Sequence, residues 1–199
     1  KDNSGTWSQI GSLSGDYAHN QGTAWNEHQR FGSSVALNGD GLIMAVGSPF
    51  ATHQVNAYPG LKPGGYRYQH GRVDIYEYVN GTTWASRGSI QGPWYKAHNG
   101  HRGTFGVSVS LDSTGDMLIV GDPGAGAGGE ATVWKYSSTA GEYIQQGGSL
   151  TGAPYDNTGQ CVKISSDGTT VAVGAPDASQ VADRSGNRGL TRIYNWDPQ

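Results

Sequence analysis

The stretch FGVSVSLDSTGDMLIVGDP, residues 105–123, decides the fold of this chain. Apolar and small polar residues alternate in its first half, a polar turn follows, and an apolar run ends in Val-Gly-Asp-Pro. Nearly the same string stands at 31–49, FGSSVALNGDGLIMAVGSP, and at 158–176, TGQCVKISSDGTTVAVGAP. In all three copies, the glycine of the closing Val-Gly pair lies 15 positions after the first glycine. A fixed internal spacing predicts a repeated supersecondary unit.

Each unit is predicted to hold four antiparallel strands. Period-two alternation marks the first strand, Asn, Asp and Gly suit the turn after it, and the second strand is nearly all apolar. A third strand recurs as GRVDIYEY at 71–78, GEATVWKY at 129–136 and GLTRIYNW at 189–196. A fourth follows as WASRGSIQG at 84–92 and IQQGGSLTG at 144–152, where Tyr143 is one place out of alignment and predicts a bulge. The chain is therefore predicted to be all-β.

Three motifs carry a resemblance to a known family. The Phe-Gly pair of the first strand, Val-Gly-x-Pro after the second and Gly-x-Val-x-Ile-Tyr on the third resemble the FG-GAP repeat, which forms β-propeller blades in integrin α-subunits. The pattern Trp-x-x-x-Gly-Ser-Leu-x-Gly is similar to extracellular FG-GAP arrays of microbial and algal surface proteins. Thr158, in the place of Phe, is the one departure. The resemblance implies a single domain, 1–199, with blades at 31–92, 105–152 and 158–196 and an exchanged fourth strand at 5–15.

Composition excludes several classes of protein. The 33 Gly, 11 Tyr and 6 Trp favour turn-rich β-structure, and a net charge of −3 with scattered Lys and Arg predicts no nucleic-acid partner. No apolar run approaches the ~20 residues of a membrane-spanning helix, so no membrane insertion is expected. The single cysteine, Cys161, replaces Ser34 and Ser108 of the other copies and is predicted to be a small core residue.

The segment GTWSQIGSLSG at 5–15 reads as a fourth strand without its first three, and RIYNWDPQ at 192–199 reads as a third strand without its fourth. Strand exchange would satisfy both, because a strand can dock on an open sheet edge. The residues predicted to form the exchanged strand and its acceptor edge are Trp7, Ile10, Leu13, Ile193, Tyr194 and Trp196.

Several assemblies satisfy this pattern. Closure within one chain would give a three-bladed ring, fewer than the roughly four to eight blades of propellers. Two chains could form a closed six-bladed ring, or each chain could pass its strand to the next and form a filament. A longer chain of which these residues are one part would also satisfy it. The sequence favours self-association, with a fibre ahead of the six-bladed dimer.

The resemblance implies that the first hairpin could bind calcium, as it often does in this family. Calcium needs six to eight oxygen ligands. The first hairpins here offer only Asp40, then Asp112 with Asp116, then Asp167. Ordinary turn chemistry is the favoured reading, so we predict no cofactor and no metal.

The loops after second and fourth strands are long and aromatic, and on a rigid scaffold such loops often bind ligands. The residues of this candidate ligand-binding face are Trp25, Tyr66, Tyr68, Trp94, Tyr95, His98 and His101. The alternative is that these rings cover a sheet edge or a neighbouring subunit. Asn80 begins the Asn-Gly-Thr sequon in a hairpin turn and is a candidate N-glycosylation site.

No nucleophile elbow, paired-carboxylate motif or phosphate loop stands in the sequence, so no enzymatic activity is predicted. The leading hypothesis is an extracellular or cell-surface structural and adhesive repeat protein that assembles with itself, with glycans or cell-surface proteins as further partners. The alternative is a carbohydrate-binding propeller, because sugar rings stack on exposed Trp and Tyr.

Overall fold

The computed structural model describes residues 5–15, 29–51, 70–93, 103–179 and 188–197, and within them the secondary structure is all β, with no helix. The first sheet contains β1 (Ser34–Leu37), β2 (Ile43–Ser48), β3 (Arg72–Val79) and β4 (Thr83–Gln91). The second contains β5 (Ser108–Leu111), β6 (Met117–Asp122), β7 (Glu130–Ser137) and β8 (Glu142–Thr151). The third contains β9 (Cys161–Ile164), β10 (Thr170–Ala175) and β11 (Leu190–Asn195).

All three sheets are antiparallel meanders in which consecutive strands are hydrogen-bonded neighbours. We call them sheets 1, 2 and 3 in chain order. The predicted all-β class and the antiparallel strand order are confirmed, and the predicted third and fourth strands begin and end within two residues of the observed ones.

The glycine spacing of the repeat has a direct structural cause. At the open end of the first hairpin of sheet 2, Gly121 pairs with Ser108, and the N–H of Gly106 donates to the Gly121 carbonyl at 3.0 Å. The same bond joins Gly159 to Gly174 at 3.0 Å. Gly106 has φ of 89°, a left-handed conformation that favours glycine. The hydrogen bond between the two glycines therefore closes the open end of the hairpin, and the number of residues between them sets the length of the hairpin.

The sheets stack side by side through their apolar faces. β1 lies against β5, and β5 lies against β9. Between sheets 1 and 2 the core includes Ile75, Ile90, Phe105, Leu111 and Leu118. Between sheets 2 and 3 it includes Ile119, Ala131, Val162, Ile164 and Val173. Alternation along each strand sends one set of side chains to each neighbouring sheet, which explains why the second strands are apolar on both faces.

The fourth strands of sheets 1 and 2 are both bulged. The bulge predicted for the fourth strand of sheet 2 is present, opposite the segment between Ala131 and Val133 of β7, and Tyr143 pairs with Tyr136. Sheet 1 has a comparable irregularity between Ile75 and Tyr76, where Arg87 of β4 is the extra residue. The predicted bulge is confirmed, and Tyr143 stands one place out of alignment because β8 is bulged by more residues than β4.

The third repeat accommodates its missing phenylalanine with polar contacts. Thr158 is fully buried, and Arg192 on β11 donates to its hydroxyl at 3.4 Å. The other guanidinium nitrogen of Arg192 reaches the Asp156 carboxylate at 3.2 Å. In sheet 2, by contrast, Phe105 packs edge-to-face on Trp134, with ring centroids 6.2 Å apart. Sheet 3 therefore has an ion pair and a hydroxyl where sheet 2 has an aromatic pair.

Candidate assembly surfaces

The segment 5–15 lies beside sheet 1 in the position that β4 has beside sheet 2 and β8 has beside sheet 3. A glycine marks this position each time, where the chain passes close to the first residue of the next repeat. An added Cβ would lie 2.7, 2.7 and 2.8 Å from the neighbouring Cβ at Gly15 with Phe31, Gly92 with Phe105, and Gly152 with Thr158. The path of 5–15 is therefore that of a fourth strand belonging to a sheet before sheet 1.

A second contact repeats in the same way, between a glycine of one fourth strand and an aromatic ring of the next sheet. A Cβ added at Gly11 would lie 2.9 Å from Trp84, one at Gly88 would lie 4.0 Å from Tyr143, and one at Gly147 would lie 3.1 Å from Trp196. Trp84 and Tyr143 stand near the starts of β4 and β8, whereas Trp196 follows β11. The ring of Trp196 thus occupies, in sheet 3, the area that fourth-strand rings cover in sheets 1 and 2.

The segment 5–15 forms no strand ladder within the described part of this chain, although its sequence predicts a strand. Trp7 is fully exposed, Ile10 is exposed and Leu13 is half-buried. A strand needs a neighbouring strand to pair with, and none of the described strands pairs with 5–15. Trp7 and Ile10 of the predicted exchanged strand therefore present large apolar side chains to solvent.

The predicted acceptor edge is β11. It pairs with β10 on one side, and no described strand pairs with its other side. Ile193 on β11 is 72% exposed, whereas Ile75, its counterpart on β3, is 0% exposed. Trp196 is also exposed, while Tyr194 is half-buried and packs against the core between sheets 2 and 3. The predicted acceptor residues therefore form one surface around the open edge, with Tyr194 on its buried side.

Two sheet faces are open as well as the edge. Val35 and Leu37 on β1 are 63% and 57% exposed, while their counterparts Val109 and Leu111 on β5 are buried against sheet 1. On the opposite side, the outer face of sheet 3 exposes Cys161. The prediction of a core cysteine was wrong, because β9 turns this residue away from sheet 2 and no described sheet covers it.

Asp112 and Asp167, two of the first-hairpin carboxylates, accept hydrogen bonds from the backbone of their own turns. Asp112 accepts from the N–H groups of Gly115 at 2.8 Å and Met117 at 3.0 Å. Asp167 is exposed, and hydrogen bonds from Ser165 and Thr169 hold its pKa below the usual range. Within the described residues, no group of three or more His, Cys, Asp or Glu side chains is arranged to hold a metal ion. That the protein binds no calcium stays a prediction.

Arg87 is an inter-sheet residue that the sequence did not reveal. Its guanidinium lies 3.9 Å from the ring centroid of Tyr136 in sheet 2 and donates to Asp116 at 2.8 Å and Glu77 at 3.3 Å. The neighbouring Tyr143 hydroxyl donates to the Gly115 carbonyl at 2.6 Å, and burial raises the pKa of Tyr143 to about 12. No sequence signal marks Arg87, since its position carries Gly147 in β8.

Asn80 lies in the β3–β4 hairpin turn, exposed to solvent, with φ of 55° followed by Gly81 with φ of 67°. Two successive positive φ values are the mark of a type I′ turn, for which Asn-Gly is favoured. The sequon is thus accessible, and glycosylation at Asn80 stays a prediction.

The predicted ligand-binding face falls outside the described residues. This applies to Trp25, Tyr66, Tyr68, Trp94, Tyr95, His98 and His101. Of the six histidines in the long loops, His70 is described, and it is buried. Carbohydrate binding on this face stays a prediction.

Comparisons with known proteins add little to these surfaces. No protein-family model matches the chain, and no curated protein matches it. Among solved structures it is similar to one described as "Structure of U3-55K", at 12% sequence identity and a TM-score of 0.40, over 77% of this chain and 36% of that one. Neither family nor function follows from a similarity of this size. Within the part of the chain that the structure describes, no helix has the length and apolar character to cross a membrane.

Proposed function

We propose that this protein is a non-enzymatic, extracellular structural protein of the FG-GAP type, whose copies assemble by exchanging a strand. One observation carries the proposal: 5–15 follows the path of a fourth strand without a ladder, while β11 has an open edge. An open edge presents a row of N–H and C=O groups that another strand can satisfy. The segment 5–15 of one copy would complete sheet 3 of another.

The internal hairpins supply the register of this exchanged strand. In sheet 1, Glu77 on β3 pairs with Ala85 on β4. The repeat alignment puts Asn195 in the place of Glu77 and Ser8 in the place of Ala85. Asn195 of one copy is therefore expected opposite Ser8 of another, and both residues are exposed in the single chain.

The three sheets would act as blades in this assembly. A contact that uses two different surfaces of each copy is heterologous, and it either closes into a ring or continues as a filament. We favour the filament over a six-bladed ring of two chains. Self-association on a cell surface would make the protein a scaffold or an adhesin, and no catalytic residue is needed for that role.

A cysteine pair tests the exchange directly. In a Cys161→Ser background, Ser8→Cys combined with Asn195→Cys should form a disulfide between copies on mild oxidation, because paired residues on neighbouring strands lie close together. Non-reducing gels would show a ladder for a filament and a dimer for a closed ring. A disulfide within one chain, or no disulfide, would contradict the proposal.

The matched control is Thr6→Cys with Asn195→Cys, which moves the pair two residues out of register on the same strand face and should cross-link more slowly. Removal of residues 1–15 should abolish assembly, as seen by electron microscopy and sedimentation. A truncated chain that keeps the native assembly state would show that the segment is not the exchanged strand.

A further inference from the structure

The junctions between sheets are built on pairs of glycines. Gly47 on β2 faces the backbone of Gly106 in sheet 2, and Gly121 on β6 faces Gly159 in sheet 3. A Cβ added at Gly47 would overlap the Gly106 carbonyl oxygen, and one at Gly121 would overlap the Gly159 carbonyl oxygen. Glycine is required at these two positions because only its backbone lets the next sheet approach so closely.

Gly174 on β10 is the third member of this set, and its environment differs. The nearest atom to an added Cβ is the carbonyl oxygen of Cys161 at 3.3 Å, which belongs to the same sheet. Its φ lies outside the left-handed range, so its own backbone does not demand glycine. Gly32, the counterpart of Gly106 and Gly159, has no atom within 4 Å of an added Cβ. Both halves of a third glycine junction are therefore present in the chain, and they are not in contact with each other.

Hydrogen bonds across the junctions follow the same repetition. The N–H of Gly39 donates to the Ser113 carbonyl at 2.9 Å, and the N–H of Ser113 donates to the Ser166 carbonyl at 2.9 Å. Each bond joins the first-hairpin turn of one sheet to that of the next. A further step of the series would bring the N–H of Ser166 to the Gly39 carbonyl of another molecule.

The apolar faces agree with this step. Val35 and Leu37 on the outer face of sheet 1 are exposed, whereas their counterparts Val162 and Ile164 on β9 are buried against sheet 2. On the outer face of sheet 3, Ile193 is exposed, whereas Ile75 is buried between sheets 1 and 2. The two open faces thus have the residue pattern of the two sides of an internal junction.

From these repetitions we infer that the outer face of sheet 3 binds the outer face of sheet 1 of a second copy, with Gly174 against Gly32. This inference rests on the proposed self-assembly and specifies its partner surface and register. The association is directional, because each copy offers one face of each kind. It also assigns a role to Gly174 that the single chain does not require.

The test is Gly174→Ala, with Gly148→Ala as the matched control, because an added Cβ at Gly148 has no atom within 4 Å. Gly174→Ala should weaken association roughly 10- to 100-fold by overpacking the inter-copy junction, while dilute protein melts close to the native temperature. Gly148→Ala should leave both quantities unchanged. Sedimentation over a range of concentrations measures the association, and circular dichroism measures the melting.

Cys161 provides a second readout, since it lies exposed on the same face in the single chain. In the assembled native protein, iodoacetamide should alkylate this thiol more slowly than in the single chain. In Gly174→Ala at the same concentration, the thiol should again react at the rate of the single chain. If Gly174→Ala assembles like the native protein and Cys161 reacts freely in both, the face contact is wrong while strand exchange stands. A native protein that stays monomeric at every concentration would overturn both.

Discussion

Ile75 and Ile193 occupy equivalent positions in their repeats, and the same substitution should affect folding at Ile75 and assembly at Ile193. Ile75 is fully buried between sheets 1 and 2, so Ile75→Ala removes contacts from the folded chain and leaves a cavity. Substitutions of this kind lower the free energy of unfolding by about 2–5 kcal/mol. Ile193 is 72% exposed, so Ile193→Ala should leave the free energy of unfolding of the dilute chain within about 0.5 kcal/mol of native.

The effect of Ile193→Ala should fall on assembly. Each buried methylene contributes about 0.8 kcal/mol, so covering the exposed part of this side chain contributes about 1.5 kcal/mol more for Ile than for Ala. That difference corresponds to about a tenfold weaker association constant. Urea unfolding of dilute protein measures the first quantity, and sedimentation equilibrium measures the second. Equal association of native and Ile193→Ala proteins would refute the reasoning that this face is covered in the assembly.

Three further predictions follow from the junctions. Gly121→Ala should destabilise the fold by about 1–3 kcal/mol or more in chemical denaturation, because the new Cβ overlaps a backbone carbonyl of the next sheet, while Gly148→Ala is neutral. Tyr143 stays protonated in the folded chain up to its pKa of about 12, whereas the unfolded chain releases this proton near pH 10, so stability should fall by about 2–3 kcal/mol between these values. In Tyr143→Phe this part of the alkaline loss disappears, and an unchanged pH profile would contradict the assignment. Lys163→Ser, which restores the residue type of Ser110, should strengthen association in sedimentation experiments, because assembly would otherwise bring a charge against an apolar face.

The repeat carried most of the fold information in the sequence. Strand positions followed from alternation and turn chemistry because these depend on neighbouring residues alone. The glycine of Val-Gly-x-Pro could be predicted to allow a close approach of neighbouring backbones. At Gly47 and Gly121 this glycine does face the backbone of the next sheet. The exposure of Cys161 could not be predicted from the sequence. The burial of this side chain depends on whether another sheet packs on sheet 3, and no local sequence pattern encodes that.

Side-chain contacts that occur in one repeat alone were also beyond the sequence. Arg87 joins two carboxylates and an aromatic ring across sheets 1 and 2, but its own segment gives no reason to expect them. The contact of Arg192 with buried Thr158 also occurs in one repeat alone. Thr158 stands where the other repeats have phenylalanine, and the Arg192 guanidinium donates to its hydroxyl. Comparison of the repeats within the sequence predicts the contacts that all repeats share, and it does not predict contacts that occur in one repeat alone.

The contact between the last glycine of a fourth strand and the first residue of the next repeat has an evolutionary consequence. Because Gly92 contacts Phe105 as Gly152 contacts Thr158, a duplicated copy of residues 105–157, which includes a linker, inserted after Asn157 would offer its neighbours the backbone contacts they already make. Recombination at such a point needs no compensating substitution at the existing junctions. The number of units in a lineage can therefore change by unequal crossing-over in whole steps, with selection acting on array length and not on repair of the packing.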